Sequence, residues 1–249
     1  MRRAPTRSKT LALLFLLAGS ALACDTDPVV QHGSAIDRGR ALFHGEMPAS
    51  PSKLNLFACA TCHSAQPPVS QATSALMPGV PLAGAHLRPS FWNGQEADLL
   101  AAMNHCRSYF MRAQKPWLAS DADAQGLYAW IESLPPTLPE PVTMTFVAAI
   151  ADLAKGDATV GKQVYDRACK SCHGNGFSGD GRLGHHVPEL PEETLAMHPT
   201  YTPTERRLVF VEKVRHGTFF GYGGAMPPFA REVLSDAQLA DVLAYLALY

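Results

Sequence analysis

Apolar residues recur at helical spacing near the C-terminus, where Leu239, Val242, Leu243 and Leu246 follow Ser235-Asp236-Ala237-Gln238. A serine three positions ahead of a glutamine, just before an apolar stripe, marks the start of a capped helix. A similar start stands earlier, at Ser120-Asp121-Ala122-Asp123, followed by Leu127, Trp130, Ile131 and Leu134. With the two serines aligned, Ala129-Trp130-Ile131 falls on Ala244-Tyr245-Leu246. A second pair of segments also matches: Gly39-Arg40-Ala41-Leu42-Phe43 and Gly161-Lys162-Gln163-Val164-Tyr165, each with an aromatic four residues after a glycine. Together the pairs predict an internal repeat. Pro135-Pro136-Thr137-Leu138-Pro139-Glu140-Pro141 separates the copies as a stiff stretch that cannot continue the preceding helix. The expected division is residues 24–138, a linker at 139–155, and residues 156–249. Val142–Leu153 is moderately apolar and reads as a short helix packed between the domains.

The first 23 residues follow a different pattern. Arg2, Arg3, Arg7 and Lys9 precede the apolar run Leu11 to Ala18, and Ala21-Leu22-Ala23 has the small-x-small form of a cleavage site. This is an export signal, with an apolar run too short to span a bilayer comfortably. Cys24 follows directly, where a bacterial lipoprotein carries its acylated cysteine, although Leu22 stands one position nearer to it than is usual. Two readings follow: a lipid tether, or a free or disulfide-bonded cysteine at the mature terminus. Removing residues 1–23 takes away four of 21 basic residues and none of 22 acidic ones, so the formal charge becomes −5. That balance excludes the basic surface a nucleic-acid partner requires.

The chemistry lies in Cys59-Ala60-Thr61-Cys62-His63 and Cys169-Lys170-Ser171-Cys172-His173. C-x-x-C-H is the attachment sequence for c-type haem. Its two thiols form thioethers with the porphyrin vinyl groups, and the histidine supplies the proximal nitrogen to iron. One helical turn places both sulfurs and the imidazole on one side of the backbone. Two copies behind an export signal predict two covalent haem c groups, each filling the centre of a small domain.

In both halves the Gly-x-x-x-aromatic segment precedes a C-x-x-C-H, and the chain resembles two tandem class I cytochromes c. The resemblance implies an all-α fold, each domain having four or five helices around a haem. It also implies that the glycine lets the first helix pack closely on the last. Eight residues separate Gly161 from Cys169 but twenty separate Gly39 from Cys59, so the first half carries an insertion around Gly45–Leu56.

A second axial ligand is expected for each haem. Gly223-Gly224-Ala225-Met226-Pro227-Pro228-Phe229 resembles the Met-Pro loop of class I cytochromes c, which makes Met226 the ligand in the second domain. Met226 lies 53 residues after His173 and nine before Ser235; Met197 is a weak competitor. His/Met ligation raises the potential. In the first domain Met77-Pro78 lies only 14 residues after His63, early for the distal side. Met111 stands nine residues before Ser120, as Met226 does before Ser235. Against Met111 stands Asn104-His105-Cys106 with a methionine five positions on, which resembles the Asn-x-Cys…Met segment of thiosulfate dehydrogenases and SoxA cytochromes. In those families the cysteine binds the first haem. Cys106 is favoured, Met111 is second and His105 third; a buried inert thiol and a Cys24–Cys106 disulfide also stand open. A thiolate would lower the first haem's potential.

The expected function is a periplasmic electron carrier serving redox protein partners. One alternative is an enzyme oxidising thiosulfate or another small sulfur anion at a Cys106-ligated haem, with Arg107, Arg112 and Lys115 nearby. Another is a redox subunit of a larger dehydrogenase or oxidase, tethered through Cys24. His185-His186 reads as part of a solvated loop.

Overall fold

The computed structural model describes residues 34–49, 56–70, 72–135, 144–218 and 224–249. The export signal, Cys24, residues 50–55 of the insertion and residues 136–143 lie outside the described residues. Residues 32–249 form one compact unit. The fold is all-α: helices and loops, with a lone bridge between Phe91 and Glu96 and no strand among the described residues. No described helix is long and apolar enough to cross a membrane.

The first half contains α1 (Ala35–His44), α2 (Cys59–Cys62), α3 (Leu99–Tyr109) and α4 (Ala122–Ser133). The second contains α5 (Ala158–Ala168), α6 (Lys170–His173), α7 (Glu192–Ala196), α8 (Pro203–His216) and α9 (Asp236–Tyr245). Side chains satisfy the helix starts. Asp98 accepts from Ala101 N, Asp157 from Thr159 N and Val160 N, and Thr202 and Ser235 each form a reciprocal box with Glu205 and Gln238.

Each half is built on a crossing of its first and last helices, α1 on α4 and α5 on α9. The glycines make these crossings possible. A Cβ on Gly39 would run into the carbonyl of Gly126 and the side chain of Trp130, and one on Gly161 into the carbonyl of Asp241 and the side chain of Tyr245. The aromatic four residues later closes each crossing: Phe43 lies 4.4 Å from Trp130 and Tyr165 lies 5.3 Å from Tyr245, ring centre to ring centre. Gly39 and Gly161 pack as the resemblance implied.

Two expectations about local structure need correction. The serine-aligned helix in the first half begins one residue late, at Ala122, with Asp121 rather than Ser120 at its N-cap. Asp121 folds its carboxylate back onto Leu118 N at 2.8 Å and so fixes the turn that Ser120 was expected to start. The described part of Val142–Leu153 is not a helix. Its polar groups bond outward to the second half. Thr145 N and Oγ1 donate to Glu232, Arg231 N donates to Thr145 O, and His216 Nε2 donates to Val147 O. Asp152 pairs with Arg207, and Tyr249 Oη donates to the carbonyls of Leu153 and Ala154. A segment whose backbone finds partners across a surface has no need of an internal ladder.

Candidate haem centres

In each half the motif histidine has one ring nitrogen already committed. His63 Nδ1 lies 2.8 Å from Val80 O, and His173 Nδ1 lies 2.9 Å from Pro188 O. A carbonyl only accepts, so Nδ1 carries the proton and Nε2 keeps its lone pair. This is the tautomer and the fixed ring orientation that a metal-ligating histidine requires. Burial holds both imidazoles below the usual histidine range, which keeps them neutral. The chain on the Nδ1 side is drawn close to the ring: a Cβ on Gly79 would collide with three atoms of His63, and Gly79 N donates to Cys62 O at 2.9 Å.

The attachment thiols are equally ready for an apolar partner. Burial pushes the Cys59 thiol up to about 11 and Cys169 up to about 12, and raises Cys62 and Cys172 as well. The partly buried His–thiol–thiol set in each half fits a covalently attached haem c. When bound, the haem supplies the one-electron couple.

In the second half, Met226 is partly buried against the core that includes Val164, Tyr165, Phe210 and Leu243, and Cys169 packs on the same core. Its carbonyl accepts from Thr218 N at 3.0 Å, which closes the loop leaving α8, and Phe229 N returns to Val214 O at 2.8 Å. Arg215 fixes the far end of that loop. Only 2% exposed, it donates to the carbonyls of Phe229 and Leu234 and pairs with Asp236 at 2.7 Å. Met197 is 59% exposed and stands away from this arrangement.

The first half has a counterpart with a shorter loop. Arg107 is buried near the end of α3, donates to Ala49 O, Asn104 Oδ1 and Lys115 O, and stacks 3.8 Å from the Trp117 ring centre. Asn104 clamps Trp117 from both sides, accepting from its N and donating to its O. Ala113 N returns to Arg107 O, as Phe229 N does to Val214 O. Cys106 lies on α3 close enough to Cys59 and Cys62 for thiolate repulsion to be felt, and its own thiol is pushed up to about 12, chiefly by burial. Met111 is buried in the core with Leu42, Phe43 and Trp117. Cys106 and Met111 share one turn, Met111 N donating to Cys106 O at 3.3 Å. His105 instead pairs with Glu96 at 3.3 Å and meets Trp92 edge-on at the surface. Met77-Pro78 belongs to the loop leading into Gly79 and Val80, on the Nδ1 side of His63.

The basic residues near Cys106 do not converge on an open anion site. Arg107 is engaged as above, Arg112 donates to Gly224 O, and Lys115 lines a surface groove of about 400 Å³ with Asn104, His105 and Ser108. His185 and His186 form an exposed pair with their rings tilted at 44°, and no group of three or more His, Cys, Asp or Glu among the described residues is placed to hold a metal ion. The carbonyls of Val80 and Pro188 carry no sequence signal, since every residue offers one. Arg107 and Arg215 also lay beyond sequence reasoning as loop anchors; their signal is an arginine one or two residues before the end of the helix preceding the distal loop.

The second of these centres lies in a haem-binding electron-transfer domain. Residues 156–246 match the family model described as cytochrome C oxidase, cbb3-type, subunit III, so the second half is a cytochrome c domain, and covalent haem c and electron transfer follow from it. Such domains are typically exported. Among solved structures the chain is similar to the thiosulfate dehydrogenase TsdBA from Marichromatium purpuratum in its as-isolated form, at 19% identity and a TM-score of 0.41, over 90% of this chain and 47% of that one. The chain thus spans about half the length of that structure. No curated protein matches it.

Proposed function

We propose that the chain is an exported dihaem cytochrome c that passes single electrons between protein partners outside the cytoplasm. Residues 24–138 would hold the first haem through Cys59, Cys62 and His63, and residues 156–249 the second through Cys169, Cys172 and His173. The observation that carries this reading is the duplicated proximal geometry. Two motif histidines each set Nδ1 on a main-chain carbonyl, and each half is built on an equivalent Gly-aromatic helix crossing. Met226 would hold the second haem from the distal side and Cys106 the first. The commitment of Arg107 and Arg112 to main-chain carbonyls favours a carrier over an enzyme that binds a sulfur anion. Cys24 would tether the mature protein to a membrane through lipid.

The intact mass of the mature protein, with a haemochrome assay, is expected to give two haems per chain. Low-temperature EPR of the oxidised protein should show a low-spin thiolate signal that disappears in Cys106→Ala and persists in Met111→Ala. The converse pattern would install Met111 as the ligand. Sustained haem reduction by thiosulfate with an artificial acceptor would move the reading to an enzyme.

A further inference from the structure

Met226 stands on a short strap, Met226-Pro227-Pro228-Phe229, that runs back along the end of α8. Three hydrogen bonds hold it there. Thr218 N donates to Met226 O at 3.0 Å, Phe229 N donates to Val214 O at 2.8 Å, and Arg215 donates to Phe229 O at 3.1 Å. Between Val214 and Thr218 lies Gly217, the C-cap of α8, whose own N is tied to Lys213 O at 3.1 Å. Its φ of 54° and ψ of −135° form a conformation open to glycine and strained for any residue with a side chain. A Cβ there would lie 2.5 Å from Met226 O, 2.7 Å from Pro228 N and 2.9 Å from Pro227 C. All three atoms are main chain, so no side-chain movement makes room. The strap rests directly on the bare face of Gly217.

The strap is also fixed in register. Neither proline has an N–H, so a slip in one direction presents a proline to Val214 O, which then loses its donor. A slip in the other direction draws Phe229, 5% exposed, out of the core and takes its carbonyl away from Arg215. Met226 itself packs against the core of Val164, Tyr165, Phe210 and Leu243, to which the first half contributes Leu76. The first half has no such neck. There Met111 follows the end of α3 by two residues with its N on Cys106 O, and residues 99–125 contain no glycine.

Resting on the reading of Met226 as a distal ligand, we propose that Gly217 is the positioning residue for that ligand. Its missing side chain sets how closely the Met-Pro-Pro strap lies on α8, and so how far the Met226 sulfur reaches. Gly217 acts only through the main chain of Met226, Pro227 and Pro228. Attachment through Cys169, Cys172 and His173 does not depend on it. A substitution at Gly217 therefore separates the two tasks of the site: the haem stays attached and the distal ligand is lost.

The test is the optical spectrum and redox titration of the full ferric holoprotein, with its haem content checked by mass. Met226→Ala identifies the sulfur-to-iron charge-transfer band that belongs to Met226. In Gly217→Ala, with its haem still attached, that band should vanish and the potential of the second haem should fall. Added imidazole should then bind that haem at a lower concentration than in the parent protein. Gly181→Ala is the control: Gly181 has a φ of 80°, but a Cβ there meets nothing within 4 Å. It carries the backbone strain without the collision, and its band should remain. If Gly217→Ala does not accumulate with haem, Pro228→Ala answers in its place. That change adds no bulk and returns an N–H that frees the strap to slip, so the band should weaken and imidazole should bind more readily. An unchanged band and potential in haem-loaded Gly217→Ala, or in Pro228→Ala where that variant decides, would overturn the proposal and leave Met226 as ligand. Loss of the band in Gly181→Ala would overturn it too, because general loosening would then suffice. A parent protein with no band that depends on Met226 would overturn the ligand reading and the proposal together.

Discussion

His63 and His173 donate their Nδ1 protons to the carbonyls of Val80 and Pro188, and burial depresses the pKa of both rings below 6.5. As pH falls, the unfolded chain takes up protons on these residues before the folded chain does. The stability contributed by the neutral imidazoles is therefore complete above pH 6.5 and is lost on acidification. Iron at Nε2, when haem is bound, would compete with the proton and extend that loss further to the acid side. The expected result is a urea midpoint that is level above about pH 6.5 and declines below it, together with loss of the low-spin haem spectrum. A midpoint unchanged well into the acid range would contradict the burial of these rings. At the same scale lies the choice between Cys106 and Met111, which share one hydrogen-bonded turn of the chain. Selection between them depends on side-chain placement, which the register of the repeat does not encode.

Among the elements, the helix crossings are the most demanding sites. Gly39→Ala would drive a methyl group into the Gly126 carbonyl across the α1–α4 contact. Overpacking of this kind costs about 3 kcal/mol, to be read from chemical unfolding. Gly126→Ala meets its nearest neighbour, Ala35 O, only at 3.0 Å and should cost less. Equal costs would mean that the crossing yields more readily than its geometry implies. These crossings were legible in the sequence, because glycine followed four residues later by an aromatic occurs before both motifs. The Ser235 cap was legible too, since its Gln238 partner is local. The start of α4 was misread by one residue because Asp121 takes the cap. The segment after residue 143 was misread as helical because its polar groups bond to partners far along the chain, at Arg207, His216 and Glu232. Local pattern reports local bonds, and the anchoring of the distal loops by Arg107 and Arg215 is not local.

For the molecule as a whole, the two halves are repeats in sequence but not separate bodies. Leu76 looks like an ordinary loop leucine, with no periodic neighbours, yet it is 8% exposed and belongs to the core of the other half. Leu76→Ala should lower stability by about 2–5 kcal/mol through the cavity it leaves. The loss should appear in the unfolding of the second haem site, although the substitution lies in the first half. If only the first site were weakened, the shared core would be refuted. The stretch that matches a known family, residues 156–246, does not contain Leu76. Cut out and expressed alone, it would present to water the pocket that this leucine fills. A duplicated domain that has taken a neighbour's residue into its interior has given up its modularity. From then on the two copies can be inherited, shuffled or engineered only together.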